Sequence, residues 1–385
     1  MRRLTLLSIV WSVTAAAQST PIATFPFHIE SGLAFVDATV NGVAVSIAMD
    51  TGAPGIILDA SLIPSARINV VQPIKSDGIG IGQIDSLRAG SLLLKNQQVW
   101  LRSFAAVNDS ASGRPPVVGV IGTAFFRQFV TRIDFADHVV TLYDPATFTY
   151  NGPGISVPVT FKLDLPQVDA VVSLAGARKL TARLIIDLGS SSSQIALTTA
   201  YARSSGLTRS SDRYIEIAGV TSLYGNSVGR LQRVDSVKLG GLEIVGPIAN
   251  ISDALGAAIP ASIADGTVGM PVLRRTTMIL DYRRSRIIFE KNSEYSAPYE
   301  FTNVSGLQLE RAGSVVRVRN VIAGSPAADS GILIGDELIS VDDQPVPTTG
   351  SLNLPALRDP GTTHDISIRR GDKTLRVSIA LRRLI

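Results

Sequence analysis

"VSIAMDTGAPG", residues 45–55, carries an apolar run straight into Asp50, Thr51 and Gly52. A carboxylate at the end of an apolar strand loses hydration, and left alone there it is costly. Glycine and alanine right after it read as a tight turn. A chemical role for Asp50 requires a second acidic group beside it, so the remainder of the chain has to supply a partner.

Internal repetition indicates where. "VVGVIGTAFFRQFVTRIDFADHVVTLYD" (117–144) parallels "DGTVGMPVLRRTTMILDYRRSRIIFEK" (265–291). In each, an apolar residue and a glycine (Ile121-Gly122, Val268-Gly269) open a short helical stretch. An aspartate, Asp134 or Asp281, then follows at the same distance and leads into a strand. "QIDSLRAGSLLL" (83–94) echoes "QRVDSVKLGGLEI" (232–244) in the same order. Two ordered matches mean one β-rich unit used twice. Upstream in the second copy lies "ARLIIDLGSSSSQIAL" (182–197), where Asp187 ends an apolar run and Gly189 follows. The interval from aspartate to glycine motif is longer in the second unit, which places an insertion near "YGNSV" (224–228).

Two units related by a local two-fold axis bring equivalent aspartates together at that axis. Two such carboxylates cannot both ionise easily and share a proton. The ionised member can take a proton from water, and the protonated one can donate to a peptide carbonyl. Neither metal nor cofactor is required.

Residues 24–292 thus resemble the pepsin/retropepsin class of aspartic peptidases in its bacterial single-chain, two-lobed form. "MDTGA" (49–53) carries the first signature, and the glycine steps at 121–122 and 268–269 carry its supporting motif. The resemblance implies Asp50 and Asp187 as catalytic pair, supported by Thr51, Gly52, Gly189 and Ser190. It places a flap at residues 77–84, with Gly78, Gly80 and Gly82, over an extended peptide or protein substrate. The departure is Leu188, which stands where the family has a hydroxyl that bonds across to the other lobe. A degenerate peptide binder with the same fold is the alternative.

After a polar linker, "EKNSEYSAPYEFTN" (290–303), the chain resembles a bacterial-type PDZ domain. The resemblance rests on Gly324-Ser325-Pro326-Ala327, Gly331, Gly335-Asp336 and Val341-Asp342-Asp343. It implies strand addition of a C-terminal peptide whose carboxylate meets the loop Gly306-Leu307-Gln308-Leu309. Pro355 sits where the groove helix should lie and shortens it.

Composition agrees with these readings. The chain has 385 residues, 45% hydrophobic and 18% charged, enough for two or three domains. Few aromatics and many Gly, Val, Ile and Thr favour strands. The expected class is mainly β: two pseudo-symmetric retropepsin-like β-barrel lobes (24–150 and 155–292) and a PDZ domain (301–385). Arg2-Arg3, the apolar Leu4–Val13 and Ala15-Ala16-Ala17 read as a signal peptide over 1–17. That implies an extracytoplasmic location with no stable membrane insertion after cleavage. With no cysteine, disulfides and thiolate chemistry are excluded, and His28, His138 and His364 share no metal-ligand spacing. The net charge is +4, and the arginines clustered in Arg274–Phe289 are interleaved with strand-like apolar residues, which argues against a nucleic-acid partner; a monomer is expected.

Overall fold

The computed structural model describes residues 19–76, 78–105, 117–207, 214–222, 225–260, 262–347, 352 and 354–385. The signal segment, Asp77 and Tyr224 lie outside the described residues.

The chain is mainly strand, and its first unit forms an eight-stranded sheet. Val43–Met49 runs parallel to Gly119–Ile121, which pairs antiparallel with Ile56–Asp59; that strand lies parallel to Leu92–Arg102. Gly80–Ala89 and Asn69–Gln72 follow, and Leu33–Val40 pairs with Gly80–Ala89 at Thr39↔Arg88, closing the ring. In the second unit Arg178–Asp187, Gly266–Gly269, Ile195–Thr198, Ile248–Ser252, Gly225–Arg233 and Ile215–Ser222 repeat that order and every strand direction. The equivalence puts Asp50 and Asp187 at matching strand ends.

A six-stranded sheet joins the units. At its centre Val130–Asp134 pairs antiparallel with Thr276–Asp281, with Thr131 opposite Leu280, Arg132 opposite Ile279 and Ile133 opposite Met278. Because Asp134 and Asp281 are equivalent in the repeat, Arg132 and Ile279 are equivalent too, and the local two-fold passes between them. One apolar core runs through both units, from Phe25 and Ile47 to Leu184 and Phe289.

The C-terminal domain has a six-stranded sheet and its own core of Val318, Ile332, Leu338, Ile366, Ile368 and Ile379. It is not held on a free spacer. Ile215, Leu231 and Ile248 of the second unit pack with Ile322 and Leu384 in one cluster. The segment expected to be a polar linker is a packed strap. Tyr299 is buried, with Arg275 stacked 3.8 Å over its ring, and Arg233 donates to its carbonyl at 2.8 Å. Tyr295 donates to the carbonyl of Glu243. Charged and polar neighbours dominate the composition of this stretch, but Tyr299 is buried and Tyr295 half-buried, and these rings decide its conformation.

Ile322→Ala opens a cavity at this junction and should lower unfolding free energy by about 2–4 kcal/mol. Denaturant titration followed by tryptophan fluorescence reads the change; a wild-type midpoint would show that the junction carries no stability.

Candidate active site

Asp50 follows the Val43–Met49 strand, and its amide bonds the Ile121 carbonyl at 2.9 Å. Asp187 ends the matching strand Arg178–Asp187. The glycine turns fold back onto the carboxyls: Gly52 N–H donates to Asp50 Oδ1 at 2.7 Å. Gly189 and Ser190 N–H donate to Asp187 Oδ1 at 2.9 and 3.1 Å. The two carboxyls face each other across the turns, each lying against the other unit's glycine. Each glycine leaves room for the other unit's acid. A Cβ on Gly52 would lie 2.5 Å from Asp187 Oδ1, and one on Gly189 would lie 2.4 Å from Asp50 Cγ.

Both acids keep a solvent-facing side yet sit deep in the protein, and depth is what disfavours charge. Loss of hydration raises Asp50 above the usual carboxylate range, opposed by the N–H donors of Gly52, Gly189 and Ala53 and by Asp187. Asp187 is pushed well above that range, first by desolvation and then by the charge of Asp50. The pair therefore holds one proton between two groups, and the titration belongs to the pair.

Beneath the acids Thr51 is fully buried and spans the units. Its hydroxyl donates to the Ile186 carbonyl at 2.6 Å and accepts from Leu188 N–H at 3.1 Å. Leu188, also fully buried, packs into the shared core and returns no such bond. The serines that follow do not replace it: Ser190 reaches Asp187 through its amide, and the Ser193 hydroxyl accepts from Asn250 at 3.1 Å. Thr123, unnoticed in the glycine motif, adds a second hydroxyl in the first unit and donates to the Thr51 carbonyl at 3.1 Å. Its counterpart in the repeat is Met270.

The expected flap is a hairpin, but its turn falls earlier than residues 77–84. Asn69–Gln72 and Gly80–Ala89 are the strands. Gly78 lies in the turn (φ 78°), its N–H bonded to the Lys75 carbonyl at 2.9 Å, while Gly80 and Gly82 lie within the second strand. Val70, Val71, Ile74 and Ile79 leave apolar surface exposed there.

In the C-terminal domain Gly306 begins the expected carboxylate loop and Leu307–Ala312 is an edge strand. Gly306 N–H already bonds Asn303 Oδ1 at 2.8 Å, and Leu307 N–H bonds the Ser305 hydroxyl at 3.2 Å. Capture of a terminal carboxylate requires exchange of these bonds. Around Pro355 the described residues form only a 3-10 turn, Pro355–Leu357. Among the described residues no cluster of His, Cys, Asp or Glu is arranged for a metal, and no helix is long and apolar enough to cross a membrane.

Residues 304–381 match the family model of the PDZ domain. The chain is similar in structure to an aspartic proteinase from Irpex lacteus at 13% identity, covering 71% of this chain and 98% of that one, TM-score 0.43. It is also similar to a retropepsin-like aspartic protease from Rickettsia conorii at 15% identity, covering 34% of this chain and 97% of that one, TM-score 0.25. No curated protein matches the sequence. These likenesses concern the fold, and the site is read from its own geometry. The repeated strand order and the paired aspartate loops define two equivalent β lobes that meet at their aspartate turns, here followed by a PDZ domain.

Two substitutions test the site without any substrate. Thr51→Val keeps shape but strands the Ile186 carbonyl and the Leu188 amide, and should cost about 1–3 kcal/mol; an unchanged melting temperature would refute the bridge. Because folding raises the acids' pKa values, the folded state binds protons more tightly. The wild type is then favoured below the ordinary carboxylate pKa and loses that advantage as pH rises towards the folded value. Across that window the loss is about 1.4 kcal/mol per pH unit for one group. Asp187→Asn should therefore gain stability relative to wild type as pH rises above about 4, and melting curves at several pH values measure it.

Proposed function

We propose that this protein is an aspartic-type endopeptidase that hydrolyses extended peptides with water activated between Asp50 and Asp187. The observation that carries the reading is the juxtaposition of two carboxyls at equivalent strand ends, each bonded by its own glycine turn and lying against the other's, with burial raising both pKa values. The ionised member serves as general base towards water, and the protonated member donates to the scissile carbonyl as the tetrahedral species forms. The same groups exchange roles when the amine departs. Thr51 fixes the floor, and the hairpin of Asn69–Gln72 and Gly80–Ala89 covers the substrate with its apolar side chains.

In this reading residues 24–150 and 155–292 are the lobes, and 301–385 form a module that binds peptide at the edge strand Leu307–Ala312 by strand addition. The basic, apolar and small-residue sequence of 1–17 supports export, so the enzyme acts outside the cytoplasm as a monomer. One observation favours a second reading, a peptide-binding protein without turnover: Leu188 supplies no hydroxyl to the floor. Both acids nevertheless keep their backbone donors, so hydrolysis stands first.

Denatured protein incubated with the enzyme should be cleaved best at acidic pH, where the pair retains its proton, and equally well with a chelator present. Asp50→Asn and Asp187→Asn should each reduce kcat by at least about a thousandfold, the scale of losing an acid–base group. Undiminished cleavage in both variants would overturn the assignment. Binding of intact peptide by wild type, with no cleavage at any pH, would establish the second reading.

A further inference from the structure

The outermost strand of the second lobe, Ile215–Ser222, is the counterpart of the flap strand Asn69–Gln72. The two edges are treated differently. Val70 and Val71 in the first lobe are 41% and 57% exposed, whereas the second-lobe strand meets the PDZ domain. Its ladder with Gly225–Arg233 breaks between Ile217 and Val220, where Ile217 pairs with Gly229 and Val220 with Ser227. A bulge of this kind removes a peptide unit from the ladder and turns it outward.

The unit turned out here is Ala218, and Gln308 meets it. Ala218 N–H donates to Gln308 Oε1 at 2.9 Å, and Gln308 Nε2 donates to the Ala218 carbonyl at 3.1 Å. A side-chain amide carries one donor and one acceptor on the same edge and so pairs with a peptide as another strand would. Asn320 Nδ2 donates to the same Oε1 at 2.7 Å, fixing the amide, and Arg319 donates to the Ala218 carbonyl at 3.4 Å. Gln308 stands beside a second bulge, between Gln308 and Leu309, in the strand that would accept an added peptide. Beneath this polar pair, Ile215 and Leu231 pack with Ile322 and Leu384.

We propose that Gln308 is a positioning residue through which the PDZ domain holds the second-lobe hairpin in register over the cleft, so that substrate binding depends on a residue of the PDZ edge strand. The inference rests on the peptidase reading only for the identity of the cleft ligand. The hairpin is part of the wall that an extended substrate meets, by the same repeat that makes the first-lobe hairpin its cover. Its own ladder is interrupted at Ala218, so an external pairing replaces the missing one. Any ligand that rearranges residues 306–309 shifts Gln308, and by linkage the state of the hairpin alters the affinity of the loop by the same factor.

The test uses the full-length chain in the Asp187→Asn background, with and without Gln308→Ala. Hydrogen exchange at the Ala218 amide should accelerate about tenfold or more on loss of the pairing, while amides of Leu165–Leu174 keep their rates. Exchange unchanged at Ala218, or raised equally everywhere, would overturn the proposal. The second measurement is binding of labelled oxidised insulin B chain with an amidated C-terminus, so that the carboxylate loop is not its target. Affinity should fall about threefold to tenfold, the range expected for one displaced hydrogen-bonded pair; equal affinity would mean that the clamp holds the hairpin without serving the cleft. In the wild-type background the same loss should appear as a raised KM with kcat nearly constant. A wild type that cleaves nothing would defeat the peptidase reading, and the exchange and binding results would still decide the role of Gln308.

Discussion

Two carboxyl groups in contact at the seam between the lobes set the terms for everything around them. Neither can be fully charged there without cost, and together they hold a proton that neither would keep in water. Such a pair persists only if the backbone delivers N–H donors to it and leaves it space. Gly52 and Gly189 do both, each donating to its own acid and yielding room to the other. That reciprocity demands equivalent strand ends on the two sides of an axis. The pairing of Val130–Asp134 with Thr276–Asp281 builds that axis into a continuous sheet.

The lobes are equivalent in strand order but not in how they are braced. In the first, Thr51 and Thr123 place hydroxyls beneath the acids, and Thr51 alone bonds both sides of the opposite turn. At the matching positions the second lobe has Leu188 and Met270, both buried in apolar surroundings. Exchanging a hydroxyl for a larger apolar side chain gives up directional bonds and gains burial, a trade that can be close to neutral for stability. It is not neutral for geometry. Thr51 fixes the Asp187 turn from across the axis, and Leu188 returns no side-chain bond to the Asp50 turn.

What was legible in the sequence follows from the range of the forces involved. The aspartate–glycine turns, their apolar strands and the duplicated glycine motif are local patterns, so Asp50, Asp187 and the repeat could be read directly. The turn of the first-lobe hairpin is harder to place, because alternating glycines at 78, 80 and 82 read as one loop. Gly80 and Gly82 instead sit inside a strand whose neighbours crowd them: a Cβ on Gly82 would lie 2.8 Å from Ile68. The strap at 290–303 is hard to read for the opposite reason. Its composition is polar, and the burial of Tyr299 depends on Arg275 and Arg233, which lie far away in sequence. No local signal announces that Gln308 meets Ala218, since the pairing requires a bulge in each of two domains.

These features divide the work of rigidity unequally around the cleft. The second-lobe hairpin is covered by the PDZ domain through an apolar cluster and a bidentate amide. In the first-lobe hairpin the Asn69–Gln72 strand is exposed along its length, and among the described residues its turn carries the backbone bonds Lys75 to Ile79 and Gly78 to Lys75. Local opening is easiest where apolar contacts are few and backbone bonds face solvent. By that measure the first-lobe hairpin is the one expected to open first, and the second-lobe hairpin, tied to the PDZ domain, the one that holds. The bracing comes from the C-terminal domain, through Gln308 in its edge strand Leu307–Ala312, so the two hairpins of equivalent strand order differ in what holds them.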